Sequence, residues 1–136
     1  MKNKKKFINI MIPISIGELI DKITILEIKK ENIRESEKLK NINKELESLK
    51  KILFDTNLNI NINLIDKLKR VNCILWKIED EIRIKENEKE FDNKFIKLAR
   101  SVYKENDKRA SIKKEINYKY NSELIEEKYY SNNYKS

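Results

Sequence analysis

Apolar residues fall at every second position from Ile8 to Ile14 (Ile-Asn-Ile-Met-Ile-Pro-Ile). That alternation predicts a short strand, which Pro13 confines to an edge or an end. The period then changes. Ser15 and Glu18 are spaced as a capping box, and Ile14 and Leu19 as the hydrophobic staple beside it. A first helix therefore starts at Ser15, and Leu19, Ile23, Leu26 and Ile33 carry its apolar stripe to about Arg34. From Ser36, Leu39, Ile42, Leu46, Leu49 and Leu53 recur in steps of three and four, the seam of a second helix flanked by Glu and Lys. The Asn-rich run Asp55–Asn63 alternates with period two, but Asn disfavours strands, so it reads as a loop, with a short strand as the lesser alternative. A third helix runs from about Asn63 to Glu88 on Leu64, Leu68, Val71, Leu75, Ile78 and Ile82. A fourth runs from about Asp92 to Glu105, on Phe91, Phe95, Leu98 and Val102. Asn106-Asp107 reads as a break, with Asn closing one helix and Asp capping the next. A fifth then covers Lys108 to Tyr120 with Ile112, Ile116 and Tyr120 inward, and Asn121-Ser122 ends it.

The pattern thus predicts a mainly all-α protein of four to five helices, a long antiparallel helical hairpin or bundle with a short N-terminal strand. The third helix, at 1.5 Å per residue, spans roughly 39 Å. A compact globule of this size is only about 37 Å across. A coiled-coil-like hairpin follows, and a dimer that covers leftover seam is expected. The organisation read from the chain is a basic flexible tail (1–9), one helical domain (10–128) and a frayed tail (129–136).

Composition removes many chemistries. The 136 residues contain one Gly, one Pro, one Cys and no His. A turn-rich β-fold, a disulfide framework, multi-cysteine metal sites and histidine-based catalysis are all excluded. The formal net charge of +8 points at first to a polyanion. However, 26 Lys, 23 Ile and 17 Asn make up nearly half the chain, and all three have A/T-rich codons, so much of the basic excess reads as compositional drift. Against that background five Arg survive, and Arg supplies a planar fork that Lys cannot mimic. No apolar stretch is long enough to span a membrane. The Lys-rich start followed by Phe7–Ile16 faintly resembles a signal peptide, but it lacks an A-x-A-like cleavage site and Asn9 and Pro13 interrupt it. A cytoplasmic protein with Cys73 reduced is the expectation. Lys2–Lys6 read as a solubilising tail; with no RNA-binding signature in the chain, nucleic acid is not an expected partner.

The run Pro13-Ile-Ser-Ile-Gly-Glu-Leu-Ile-Asp-Lys-Ile-Thr-Ile-Leu-Glu-Ile-Lys29 resembles the N-terminal signature (P-x-S-x-G-E-L-x-D-K-x-T-I-L-E-I-K) of an uncharacterised bacterial family of small helical proteins, a domain of unknown function. The stretches around Val71–Arg83 and Leu98–Tyr129 agree with it, so the resemblance covers about Ile10 to Tyr130. It implies a free-standing member of that family and carries no activity with it.

Two groups of residues are candidates for function. Arg100 and Tyr103 on the fourth helix and Arg109 and Lys113 on the fifth converge if the chain folds back at Asn106, giving a site for a carboxylate or phosphate. The competing reading is a structural ion-pair network, with Asp107, Glu79 or Asp80 as partners of the arginines. The acidic flanks Glu18 and Asp21, and Glu79 and Asp80, are the second group; Glu79 and Arg83 form a potential i,i+4 pair. Glu18-x-x-Asp21 is similar to half of the paired motif of all-α magnesium-dependent nucleotide pyrophosphatases, but no second half is spaced for it, so no metal is assigned. Ile20–Leu26 is briefly similar to the first helix of chorismate mutases, which are small all-α bundles. Gly17, at the start of the first helix, reads either as an anion-binding amide or as a close packing point, with Trp76 the suggested neighbour.

The leading expectation is a protein-interaction or self-association module. The alternatives are a binding module for an anionic small molecule, and a small all-α enzyme of mutase-like or magnesium-dependent kind. The balance leans away from an enzyme; no catalytic residue and no cofactor is assigned.

Overall fold

A computed structural model describes residues 5–131. Residues 1–4 and 132–136, which include Lys2 and Lys4 of the basic tail and the end of the C-terminal tail, lie outside the described residues. The described residues form four helices: α1 (Ile16–Asn32), α2 (Ser36–Asp55), α3 (Ile62–Asn87) and α4 (Asn93–Lys119). No helix among the described residues is long and apolar enough to cross a membrane.

Helix α1 is the axis of the molecule, because it carries two buried faces. Leu19, Ile23 and Leu26 pack against Ile42 and Leu46 of α2, with Leu49, Ile52 and Leu53 around them. This is the seam read from the heptad pattern. On another face, Ile20 joins Leu64 and Leu68 of α3 and Ile116 of α4. Leu68 and Ile116 have no exposed surface, so each contributes roughly 2–3 kcal/mol of burial. Helices α3 and α4 form the long hairpin. At its open end the Tyr120 hydroxyl accepts from the Asn61 N–H at 2.6 Å. At its tip Lys85 donates to both Glu90 and Asp92, and Asp92 caps α4 by accepting from the Phe95 N–H. The Asp92 carboxyl is held below its usual range by Lys85 first and by that backbone bond second.

Three helix ends need a residue in the left-handed conformation. With a single glycine in the chain, Asn57, Lys89 and Asn121 take those places, at φ 61, 55 and 56°. After α4 the Ser122 N–H returns to the Asn117 carbonyl at 2.8 Å, and after α3 the Glu90 N–H returns to Lys85 at 2.9 Å. Both are Schellman closures.

Two expectations are corrected. The described residues contain no strand: residues 7–13 are irregular and exposed, and the other alternating run, Leu58–Asn63, is divided between a loop and the start of α3 and offers them no ladder. The described residues also hold no fifth helix. Asn106 and Asp107 lie inside α4. The heptad spacing does not stop at Val102; it continues through Glu105 and Arg109 to Ile112 and Ile116, so polar residues hold the seam where apolar ones lapse. Without Pro or Gly, the modest helix cost of Asn and Asp does not break it.

Candidate functional site: a buried ionic cluster beneath an open cleft

The N-terminus of α1 is docked onto the C-terminus of α4. Ser15 Oγ accepts from the Glu18 N–H at 3.1 Å, Ser122 Oγ from Ile16 at 3.0 Å, and Asn117 Oδ1 from Gly17 at 2.6 Å. All three leading amides are therefore occupied by protein groups, and the anion-binding reading of this helix end is closed. Gly17 is required by close approach to α4, not by Trp76. A Cβ there would lie 2.5 Å from the Lys113 carbonyl oxygen and 2.9 Å from Asn117 Oδ1.

One turn further along, α1 presents Asp21 and Thr24, both fully buried, to α3 and α4. Asp21 accepts both arms of the Arg109 fork: Nε to Oδ1 at 2.9 Å, and one terminal nitrogen to Oδ2. The Asn72 amide donates to Asp21 Oδ1 at 2.8 Å and to Thr24 Oγ1 at 3.0 Å. Lys113 reaches Glu18 at 2.6 Å, Glu126 at 3.1 Å and Asp21 at 3.9 Å. Opposed charges and hydrogen bonds thus offset the desolvation that burial imposes. The Arg109 guanidinium is held above its ordinary value chiefly by Asp21, against burial. For Lys113 burial is the largest influence and pushes the amine down, yet the bonds to Glu18 and Glu126 together carry it above the ordinary value.

Beside this cluster, between the C-terminal half of α1 and the hairpin, lies a cleft of about 700 Å³. Ile25, Ile28, Leu75 and half-buried Trp76 form its apolar wall. Asn72, Asn106 and Arg109 line one end, and Glu79, Asp80 and Arg83 line the part nearer the hairpin tip. The side chain of Arg109 remains 28% exposed, so one edge of the guanidinium is committed to Asp21 while the residue also lines open space.

The predicted residues are therefore only partly gathered. Arg109 and Lys113 lie together, but their carboxylate partners are Asp21, Glu18 and Glu126, not Asp107, Glu79 or Asp80. Arg100 does not join them. In a continuous helix nine residues is two and a half turns, which places Arg100 on the opposite face of α4 from Arg109, where it is exposed. Tyr103 is also exposed there, at 44%. Glu79 and Asp80 face the cleft, and no Glu79–Arg83 ion pair forms among the described residues. Glu18 and Asp21 are committed to cations, and the described residues contain no group of three potential metal ligands. Sequence reasoning missed Thr24, Asn72, Asn106 and Glu126. A signal existed for part of this: Gly17, Asp21, Thr24 and Ile28 recur in steps of four, three and four, a second stripe on a helix whose first was already assigned.

A family model described as a family of unknown function, DUF6165, matches residues 10–136. No curated protein and no solved structure matches the chain.

Proposed function

The chain belongs to the DUF6165 family, whose function is unknown, and on that premise we propose that it is a binding module for a small molecule bearing an acidic group. One observation carries the reading: Arg109 is fixed from behind by Asp21 and lines the cleft in front. An anchored guanidinium loses little freedom when it captures a carboxylate or phosphate, and its unused donors suit either group. The apolar wall with Trp76 gives the body of the ligand a surface to cover, and the volume falls in the range of small-molecule sites. Thermal unfolding tests the proposal. A panel of organic phosphates and carboxylates is expected to contain members that raise Tm. Asn106→Asp, which sets a carboxylate beside Arg109, is expected to abolish the rise. A panel without effect on the native protein removes the reading.

Self-association is the second reading. Ile84, Phe91 and Ile96 near the hairpin tip are each more than half exposed, which favours a contact there. Sedimentation of the native protein decides it: a monomer up to about 100 μM, equivalent to binding weaker than roughly 5.5 kcal/mol, counts against it.

A further inference from the structure

We infer that the ligand class of the cleft is an acidic sugar, an inference that rests on the reading of the cleft as a small-ligand site. The argument comes from what its walls offer together. Trp76, the one tryptophan of the chain, forms part of the apolar wall. A sugar ring presents a flat C–H face that covers such a surface, with hydroxyls around its rim. The polar groups beside Trp76 are of both kinds. Glu79 and Asp80 only accept hydrogen bonds, Lys29, Arg83 and Arg109 only donate, and the amides of Asn32, Asn72 and Asn106 do both. Hydroxyls do both as well, so adjacent hydroxyls satisfy a mixed lining that a bare anion does not. Inorganic phosphate or a simple dicarboxylate would suit Arg109, yet it would bring like charge towards Glu79 and Asp80, which have no ion-pair partner among the described residues.

Spacing supports the same class. Asn72 and Glu79 are seven residues apart on α3, a rise of about 10 Å, with Trp76 between them. A ring against Trp76 then directs its acid group to Arg109 and its hydroxyls to Glu79 and Asp80. The acidic residues, which would oppose a simple anion, become hydroxyl acceptors.

Trp76 emission of the full chain is the readout, with glucuronate, glucose 6-phosphate, glucose, succinate, AMP and inorganic phosphate as probes. Glucuronate or glucose 6-phosphate is expected to give a saturable change, at least about tenfold tighter than glucose, succinate or phosphate. The double variant Glu79→Gln/Asp80→Asn changes exposed side chains, and its fold is checked by circular dichroism. It is expected to weaken the acidic sugar by about fivefold or more, a change near 1 kcal/mol. Tighter binding in that variant would show that the carboxylates repel the ligand, and overturns the sugar assignment. Succinate binding as tightly as the acidic sugars, or AMP binding more tightly than both of them, which would put its purine rather than a sugar ring against Trp76, also overturns it, while leaving the cleft a ligand site. Silence from every probe up to about 10 mM, where binding is weaker than roughly 3 kcal/mol, overturns the site itself.

Discussion

Removing the charge of Asp21 is the sharpest perturbation the bundle offers. Its carboxylate has no exposed surface and accepts from Arg109 and Asn72, with Lys113 at 3.9 Å. Asp21→Asn keeps the volume but sets an amide donor or a weaker acceptor against the Arg109 fork. Breaking a buried pair in this way typically costs 3–5 kcal/mol. Arg109 is 28% exposed and draws on water through the cleft, so the lower end applies, about 3 kcal/mol. Arg109→Met leaves the buried anion with Asn72 and a distant Lys113, and is expected to cost about the same. The double variant Asp21→Asn/Arg109→Met removes both charges together. It should lie within about 2 kcal/mol of the native protein, because the desolvation cost disappears with the pair. Urea denaturation with an unchanged m-value reads all three. Single losses below about 1 kcal/mol, or additive losses in the double variant, would refute the view that this pair joins α1 to α4.

Gly17→Ala should destabilise the protein by about 2 kcal/mol although alanine favours helix, because the added methyl meets the Lys113 carbonyl, which is backbone and cannot rotate away; an unchanged denaturation midpoint would contradict the docking of α1 on α4. Lys89→Gly relieves a left-handed lysine at the end of α3 and should stabilise by roughly 0.5–1 kcal/mol in the same assay. Stability should also fall on the alkaline side. The folded value of Lys113 is raised, so its contribution is fully present below the ordinary 10.5 and is lost as the pH rises through the folded value. Stability measured across that range should decline less steeply in Lys113→Met than in the native chain.

The apolar seams of α2 and α3 and the α2-facing stripe of α1 are legible from the chain because each is one stripe at helical spacing, and the Ser15 cap is a local rule that tertiary packing did not need to override. The course of α4 is not, because its seam passes through Glu105 and Arg109, which a hydrophobic pattern records as a gap. The same gap misplaces the site: once a break is put at Asn106, Arg100 folds onto Arg109, whereas helix continuity turns it away. The choice of Asp21 as the partner of Arg109 is set by α1 lying between two other layers, a long-range arrangement that no spacing within α4 or α3 encodes. Arginine persistence in a lysine-rich chain did point to Arg109, where a two-armed fork is used, but it pointed equally to Arg100, where none is.

The most direct test of the cleft as a ligand site is a nitrogen–proton correlation spectrum of the native protein. It follows the single indole N–H of Trp76 and the Nε–H of Arg109, which the bond to Asp21 protects from exchange. Glucose 6-phosphate, glucuronate, succinate and inorganic phosphate are titrated in turn. At least one is expected to move both signals together and saturably, leaving the Nε–H of Arg34 in place. If none moves them up to about 10 mM, a limit near 3 kcal/mol of binding, or if only exposed basic groups respond, the cleft is not a binding site.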